Sequence, residues 1–205
     1  MKLHYAPGTI SIAVAIALHE GGLKFDAIPV DFKFKAQTQP AYRQINPKGR
    51  VPALETDDGI LTETGAILDY IAAIAPDARL MPEGPFQAAQ LRGVMYYLAS
   101  TMHVNHAHRL RGSRWADTAT AQEDMRAKVP ETMAESCIYI EQHCLAGPFV
   151  TGDRITVADA YLFVVCSWLE GDGIDVVAYP RIAAFRDAME ARPSVQAVRA
   201  AGMLR

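Results

Sequence analysis

The chain has 205 residues, half of them hydrophobic, with 20 basic and 23 acidic side chains and a formal net charge of −3. This length and composition can bury a substantial core in one domain or two small ones. The small negative charge provides no basic field for nucleic acid or an anionic membrane, and no uncharged stretch of about 20 apolar residues predicts a membrane span. The N-terminus runs directly into a strand-like segment, which argues against a secretory signal.

The three cysteines, Cys137, Cys144 and Cys166, form an odd and scattered set. Cys137 and Cys144 fall in one helical stretch, roughly 10 Å apart along its axis, which is too far for a disulfide bridge. We therefore expect buried, reduced thiols and a cytoplasmic protein with neither nucleic-acid nor membrane partners.

The first eighty residues alternate strand and helix patterns. The predicted elements are strands at 2–5 and 25–30, a helix at 9–20, an irregular crossover at 31–45, a hairpin from 53–55 and 60–61, and a helix at 63–75. The first helix is so apolar that both of its faces should be covered. The order βαβ followed by ββα predicts a mixed four-stranded sheet with helices packed on it.

A change in composition separates this part from the rest of the chain. Pro82, Gly84 and Pro85 lie close together, which is typical of a linker. Helical periodicity then replaces the strand pattern, at roughly 86–112, 121–146, 156–170 and 180–191 with a short end piece. We predict an α/β domain over residues 1–77, a linker over 78–85 and an all-helical domain over 86–205.

The most informative pattern is a pair of short segments, residues 46–54 and 61–68. The Val51–Pro52 bond stands where a strand begins, a position at which proline is tolerated. It is a candidate for the cis form, which would turn the Val51 N–H and C=O outward as a free edge for an extended peptide. Glu63 and Thr64 open an apolar-periodic helix with a carboxylate, a hydroxyl and free N–H groups. This combination is suited to binding a small peptide with charged ends.

A second local pattern lies in the helical half, at residues 155–163. Thr156 is placed as a helix N-cap, and Asp159 stands at the third helical position, where it can bond back to the cap. We interpret this capping box as a structural start signal for a buried helix and do not assign Asp159 a catalytic role.

Four segments in this order carry a family resemblance: residues 2–8, 45–54, 61–63 and 156–163. With them the chain resembles the cytosolic glutathione transferases, most closely the bacterial beta class, along essentially its full length. The resemblance implies a thioredoxin-like N-terminal domain followed by an all-helical C-terminal domain. It also implies a homodimer that uses glutathione as co-substrate and needs no metal.

The resemblance assigns roles to single residues. Val51, before a proline that is cis in the family, would pair its backbone with the cysteinyl part of glutathione, and Glu63 and Thr64 would hold the γ-glutamyl end. Lys35 matches a lysine that reaches the glycyl carboxylate, the alternative being an ordinary solvated lysine. The predicted glutathione-binding set is Ile10, Lys35, Arg50, Val51, Pro52, Glu63, Thr64 and His103.

The chain departs from the beta-class pattern at Ile10, which stands where that class has a cysteine. A mixed disulfide with glutathione cannot form at Ile10. Thr9 and Ser11 at the helix start are therefore the candidate catalytic groups, with Ser11 preferred as stabiliser of the glutathione thiolate through its hydroxyl or its backbone N–H. The alternative is that Ser11 only helps to start the helix. Tyr5, which ends the first strand, is expected to pack beneath the site.

Two further departures surround His103, which matches the family's histidine near the thiol. Val104 replaces the lysine that usually follows it, and Tyr96 replaces an asparagine seven residues before it, so one contact across the dimer is expected to be missing. Tyr96, Tyr97 and Met102 could seat a partner subunit or belong to the core of their own chain.

The segment from His103 to Trp115 is rich in polar and basic side chains. His103 and His106 share a helix face but lack the third and fourth ligands of a zinc site, so we expect no metal. We predict instead that His106, Arg109 and Trp115 line a pocket for an electrophile with an anionic or aromatic group. The alternative is a solvated polar helix.

The sequence thus predicts a glutathione transferase that conjugates the glutathione thiol to a small electrophile. One alternative is another glutathione-dependent reaction, such as peroxide reduction, isomerisation or thiol transfer. The other is a non-catalytic protein that binds glutathione or a related ligand.

Overall fold

The computed structural model describes residues 1–204, which divide into two compact units. The first unit comprises residues 1–85 together with the segment from Met189 onward, and the second comprises residues 86–188. The α-helices are α1 (Ser11–Glu20), α2 (Pro40–Ile45), α3 (Thr64–Ile74), α4 (Pro85–Tyr97), α5 (His103–Arg111), α6 (Ala119–Tyr139), α7 (Val157–Cys166), α8 (Pro180–Glu190) and α9 (Pro193–Ala200).

The first unit contains one mixed sheet of four strands, as the sequence predicts. The strands are β1 (Lys2–Tyr5), β2 (Asp26–Pro29), β3 (Ala53–Thr56) and β4 (Gly59–Thr62). Their order across the sheet is β2-β1-β3-β4, with β1 parallel to β2 and the other two pairs antiparallel. The predicted irregular crossover contains a short 3₁₀ turn and the helix α2.

Helix α1 lies at the centre of this unit, in contact with β1, α3 and α9. Every residue from Ser11 to Leu18 is buried, which confirms the prediction that both faces of this apolar helix are covered. The sheet and α3 supply the rest of the core through the fully buried side chains Leu3, Leu54, Ile67, Leu68 and Ile71.

The C-terminal segment, from Met189 onward, belongs to the first unit. The sequence analysis instead assigned it to the all-helical domain predicted over residues 86–205. Polar contacts at both ends of α1 hold it there. The Glu20 carboxylate accepts hydrogen bonds from Arg192 at 2.6 and 2.7 Å and from Ser194 at 2.5 Å. Before the other end of α1, the Gly8 N–H donates to the Met203 carbonyl at 2.9 Å. Periodicity shows that a segment is helical but not which core it joins.

The second unit, α4 to α8 up to residue 188, is helical. A π-helical stretch, Leu98–Met102, joins α4 to α5, and a second one, Ile140–Cys144, continues α6. Between residues 86 and 188 the only β feature is an isolated bridge between Phe149 and Gly152. No helix among the described residues has the length and apolar character needed to cross a membrane.

The predicted capping box is present at the start of α7. The Asp159 carboxylate accepts hydrogen bonds from the Thr156 N–H at 2.7 Å, the Thr156 hydroxyl at 2.6 Å and the Val150 N–H at 2.7 Å. Burial raises the pKa of Asp159 to about 6, because it outweighs these hydrogen bonds, which by themselves would lower the pKa. The carboxylate ties the loop before α7 to the helix.

The three cysteines are unpaired and buried. Burial raises the pKa of Cys137 to about 12 and that of Cys144 to about 11, and it raises the pKa of Cys166 as well. These side chains are therefore neutral thiols near pH 7, and the thiolate is the reactive form of cysteine.

Candidate active site

The segments singled out in the sequence of the first unit meet at one end of the sheet. His4 pairs with Ala53, and Ala53 pairs with Thr62, so the residues after β1, before β3 and after β4 are neighbours. The parallel strand β2 also leaves the sheet at this end. The register therefore gathers the start of α1, the Val51–Pro52 bond and the start of α3, and the loop that carries Lys35 follows β2 from the same end.

Val51 presents a peptide edge here. The Val51–Pro52 bond is cis, and no hydrogen bond joins the Val51 backbone to another described residue. The preceding carbonyl, that of Arg50, is held by the Tyr42 hydroxyl at 2.8 Å and the Asn46 side-chain amide at 2.7 Å. The loop is thus fixed while the Val51 N–H and C=O are left for an extended ligand backbone.

Glu63 stands immediately before α3 with a positive φ of 74°. A non-glycine residue in this region costs on the order of 1–3 kcal/mol, and such strain is concentrated at functional sites. The Glu63 side chain is 64 % exposed and does not cap the helix, so the first N–H groups of α3, beginning at Thr64, lack an acceptor within the helix. A carboxylate beside these N–H groups is complementary to a ligand end that carries both an ammonium and a carboxylate.

Lys48 is a neighbour of Glu63 that sequence reasoning missed. Its Nζ donates to Glu63 Oε1 at 2.5 Å and to Thr62 Oγ1 at 2.8 Å. Both partners of the ion pair are well exposed, so the pair contributes little stability and a ligand ammonium could replace Lys48.

The start of α1 carries a small network of hydroxyl groups. Thr9 Oγ1 donates to the Ala6 carbonyl at 2.8 Å and lies 2.7 Å from Ser11 Oγ. Ser11 Oγ accepts from the Ala6 N–H at 3.1 Å, and the Ser11 side chain is fully buried. The Ile10 N–H has no acceptor among the described residues, and α1 has no side-chain cap. Ser11 therefore lies behind Thr9, and the open donor at this helix N-terminus is the Ile10 N–H.

Lys35 and Arg50, the other predicted ligand contacts in this unit, are both exposed. Lys35 has a positive φ of 52° and begins the 3₁₀ turn of the loop after β2. Pro52 is buried beneath the Val51 edge, and the Ile10 side chain is buried as well, so Ile10 offers a ligand only its backbone.

In the second unit, two of the predicted pocket residues share one carboxylate. Asp172 is completely buried; its Oδ2 lies 2.7 Å from His106 Nδ1, and its Oδ1 accepts from Arg109 Nη1 at 3.2 Å. Asp172 lies 66 residues from His106 in the sequence, so the pattern around His106 gave no sign of it.

Aromatic rings surround this pair. Trp168 stacks on His106, with ring centroids 4.2 Å apart and an interplanar angle of 20°, and also contacts His103 at 5.0 Å. Trp115 instead packs edge-on against His108 at 4.7 Å and is 46 % exposed. The structure thus brings His103, His106 and Arg109 into one cluster but gives Trp115 a different neighbour. No group of three or more metal-ligating side chains was found within residues 1–204.

Comparison with known proteins assigns the family. The N-terminal-domain model of glutathione S-transferase matches residues 1–73, and the C-terminal-domain model matches residues 107–201. The chain therefore belongs to the glutathione transferase family.

Two relatives are similar along nearly the whole chain. Glutathione S-transferase GstA of Escherichia coli O157:H7 is 34 % identical over 96 % of each chain. A maleylacetoacetate isomerase of Pseudomonas aeruginosa is 31 % identical over 95 % of this chain and 93 % of its own.

Two solved structures are also similar along the whole chain. A glutathione transferase homologue from Sulfitobacter with bound glutathione has 58 % identity and a TM-score of 0.97 over 99 % of this chain and 98 % of its own. A bacterial beta-class enzyme from Sphingomonas chungbukensis has 34 % identity and a TM-score of 0.84 over 98 % of each chain.

Proposed function

We propose that this protein is a glutathione transferase that joins the sulfur of glutathione to a small electrophile. The observation that carries the proposal is the convergence at one end of the sheet of the unbonded Val51 backbone, the Glu63 carboxylate and two uncapped helix N-termini. Each feature matches one part of a short peptide with a zwitterionic end and a central thiol.

The ligand fits these features in a definite order. The cysteinyl backbone pairs with Val51, the γ-glutamyl ammonium pairs with Glu63, and the γ-glutamyl carboxylate lies on the N–H groups at the start of α3. Lys35 supplies charge for the glycyl carboxylate, and Arg50 and His103 remain proposed contacts. The similarity to a structure with bound glutathione supports this placement.

The central thiol then lies at the start of α1. Since Ile10 has no thiol, the protein does not use a mixed disulfide there, and its three cysteines are buried and neutral. We assign thiolate stabilisation to the Ile10 N–H and the Thr9 hydroxyl, with Ser11 acting through Thr9. Ser11 Oγ lies 3.3 Å from the Ala6 carbonyl oxygen and can donate to it in place of the Thr9 hydroxyl. The Thr9 hydroxyl can then donate its proton to the sulfur.

A parallel assay tests the proposal. Purified protein is first tested for retention of glutathione, and turnover is then measured with an aryl halide, a disulfide and a hydroperoxide. Conjugation of the aryl halide with weak disulfide reduction is the expected result. Glutathione binding without turnover of any substrate would instead identify a binding protein.

The isomerase relative favours a second candidate, a glutathione-dependent isomerisation. Isomerisation also begins with an activated thiolate but returns glutathione unchanged. The two candidates are separated by following glutathione, which conjugation consumes and isomerisation does not.

We also propose that the protein is a cytoplasmic homodimer. Unpaired cysteines are typical of a reducing compartment. Phe86 and Tyr96 on α4 are 70 % and 68 % exposed, which is unusual for large aromatic side chains and suits a subunit interface. The sequence analysis considered Tyr96, Tyr97 and Met102 for this interface. Of these three, Met102 is fully buried in its own chain and therefore belongs to the core.

A further inference from the structure

Lys48 is held beside Glu63 by a fixed turn of the first unit. The Asn46 side chain is almost completely buried in this turn. Its Oδ1 accepts from the Lys48 N–H at 3.2 Å, and its Nδ2 donates to the Arg50 carbonyl at 2.7 Å. The backbone that carries Lys48 is therefore fixed by the same side chain that fixes the loop before Val51.

The Lys48 ammonium occupies the place that a ligand ammonium needs. Its Nζ donates to Glu63 Oε1 at 2.5 Å and to Thr62 Oγ1 at 2.8 Å, directly before the uncapped start of α3. The Lys48 side chain keeps 42 % of its surface exposed, and exposed ion pairs are weakly held. The free protein thus carries its own cation at this end of the site, and another cation can displace it into solvent.

We propose that Lys48 sets the specificity of this site for the α-amino group of the ligand, because it is an internal substitute for that group. This role rests on the proposed function and adds a class of ligand to it. That class comprises thiol peptides whose γ-glutamyl end keeps its carboxylate but lacks the ammonium. Glutathione displaces Lys48 from Glu63, whereas a deaminated peptide leaves Lys48 in place.

Charge balance at the start of α3 explains this tolerance. Glutathione brings both an ammonium and a carboxylate, so Glu63 exchanges one cation for another at little net cost. A deaminated peptide brings only the carboxylate, and Lys48 remains as the cation beside Glu63. Without Lys48, the carboxylates of Glu63 and of the deaminated peptide would lie close together with no cation, and like charges at short range repel.

Calorimetry with two ligands tests the role of Lys48 in the whole protein. Glutathione is compared with glutaryl-cysteinyl-glycine, which is glutathione without its α-amino group. In the unaltered protein the deaminated peptide should bind less than about 10-fold more weakly than glutathione, and a larger difference would overturn the proposed tolerance. In Lys48→Met this ratio of dissociation constants should be about 5-fold larger, the upper end of what an exposed ion pair contributes.

Two further variants show whether the charge of Lys48 is responsible. Lys48→Arg keeps a cation beside Glu63 and should keep the ratio of the unaltered protein. Lys24→Met removes an exposed cation just before β2, at the end of the sheet opposite to the site, and should leave both dissociation constants unchanged. A ratio as high in Lys48→Arg as in Lys48→Met would overturn the role of the charge.

The remaining outcomes separate this role from the proposed function. A ratio that less than doubles in Lys48→Met overturns the role of Lys48 while conjugation stands, and so does weaker binding of glutathione to that variant. The expected change of ratio in a protein that turns over no electrophile supports the role of Lys48 and overturns conjugation. A protein that binds neither peptide overturns both proposals.

Discussion

At the residue scale, the start of α1 shows how one side chain limits what its neighbours can do. The Ile10 side chain is buried in the core, so this position offers only its N–H to a ligand. Ser11, one residue later, also points inward and spends its hydroxyl on Ala6 and Thr9. The sequence places Thr9, Ile10 and Ser11 at the helix start but does not indicate which of these side chains faces outward.

Glu63 gives the sharpest prediction for ligand binding. Glu63→Ala removes the partner of the γ-glutamyl ammonium and should weaken glutathione binding by about 30- to 150-fold, or about 2–3 kcal/mol, as measured by calorimetry. Lys48→Met is the matched control, because it removes the other half of the Lys48–Glu63 pair and keeps the carboxylate. The control should bind with unchanged or up to about 5-fold higher affinity. Unchanged binding in a folded Glu63→Ala protein would contradict this placement of the ligand.

At the level of helices and strands, the sequence predicts features that are encoded locally, but it does not predict contacts between residues far apart in the chain. The Thr156–Asp159 capping box lies within four residues and forms as predicted. The sheet could be predicted because each strand has its own apolar pattern and turn signals. The attachment of α9 to the first unit depends on Glu20 and Arg192, which are 172 residues apart. No local pattern encodes such a contact.

The contacts of Glu20 with Arg192 and Ser194 predict an acid-sensitive C-terminal segment. Burial alone would raise the pKa of Glu20, but the hydrogen bonds from Arg192 and Ser194 outweigh it and hold the pKa below its usual value of 4.5. The folded protein therefore binds this proton less readily than the unfolded chain. The resulting stabilisation is complete above about pH 4.5 and is lost as the pH falls through the lowered pKa.

Glu20→Gln should remove this pH-dependent stabilisation. The free energy of unfolding near pH 7 should fall by about 1.5–3 kcal/mol, as for loss of hydrogen bonds to a charged group. The amides of α9 should exchange with deuterium faster than in the unaltered protein, and the difference between the two proteins should shrink below pH 4. Glu123→Gln is the control, since Glu123 forms only an exposed pair with Arg126 on α6. Equal exchange of the α9 amides in Glu20→Gln and the unaltered protein would show that these contacts do not hold the segment.

For the whole molecule, the fold was predicted more completely than the site. The two-part organisation and the four-stranded sheet followed from periodicity and from four family segments, and the cis Val51–Pro52 bond occurs where the sequence suggested it. Lys48 beside Glu63 and Asp172 beside His106 were missed. Both contacts join residues that are well separated in the chain, and in the sequence alone Lys48 and Asp172 resemble ordinary solvated charges.

We predict that the protein is a homodimer. Sedimentation velocity at micromolar concentration should give one species of about twice the 22.4 kDa chain mass. Tyr96→Glu places a charge on the exposed aromatic surface of α4 and should shift the protein toward monomer. A single species of chain mass in the unaltered protein would rule the dimer out.

We propose that the start of α1 activates the thiol of bound glutathione, and a titration of thiolate absorbance against pH measures this activation. A free thiol has a pKa near 8.5, and we expect a value lower by about two in the complex, equivalent to about 2.7 kcal/mol. Thr9→Val should raise it again, and Ser11→Ala should do so to a smaller extent because Ser11 acts through Thr9. A bound thiol that titrates like free glutathione would show that the start of α1 does not activate it.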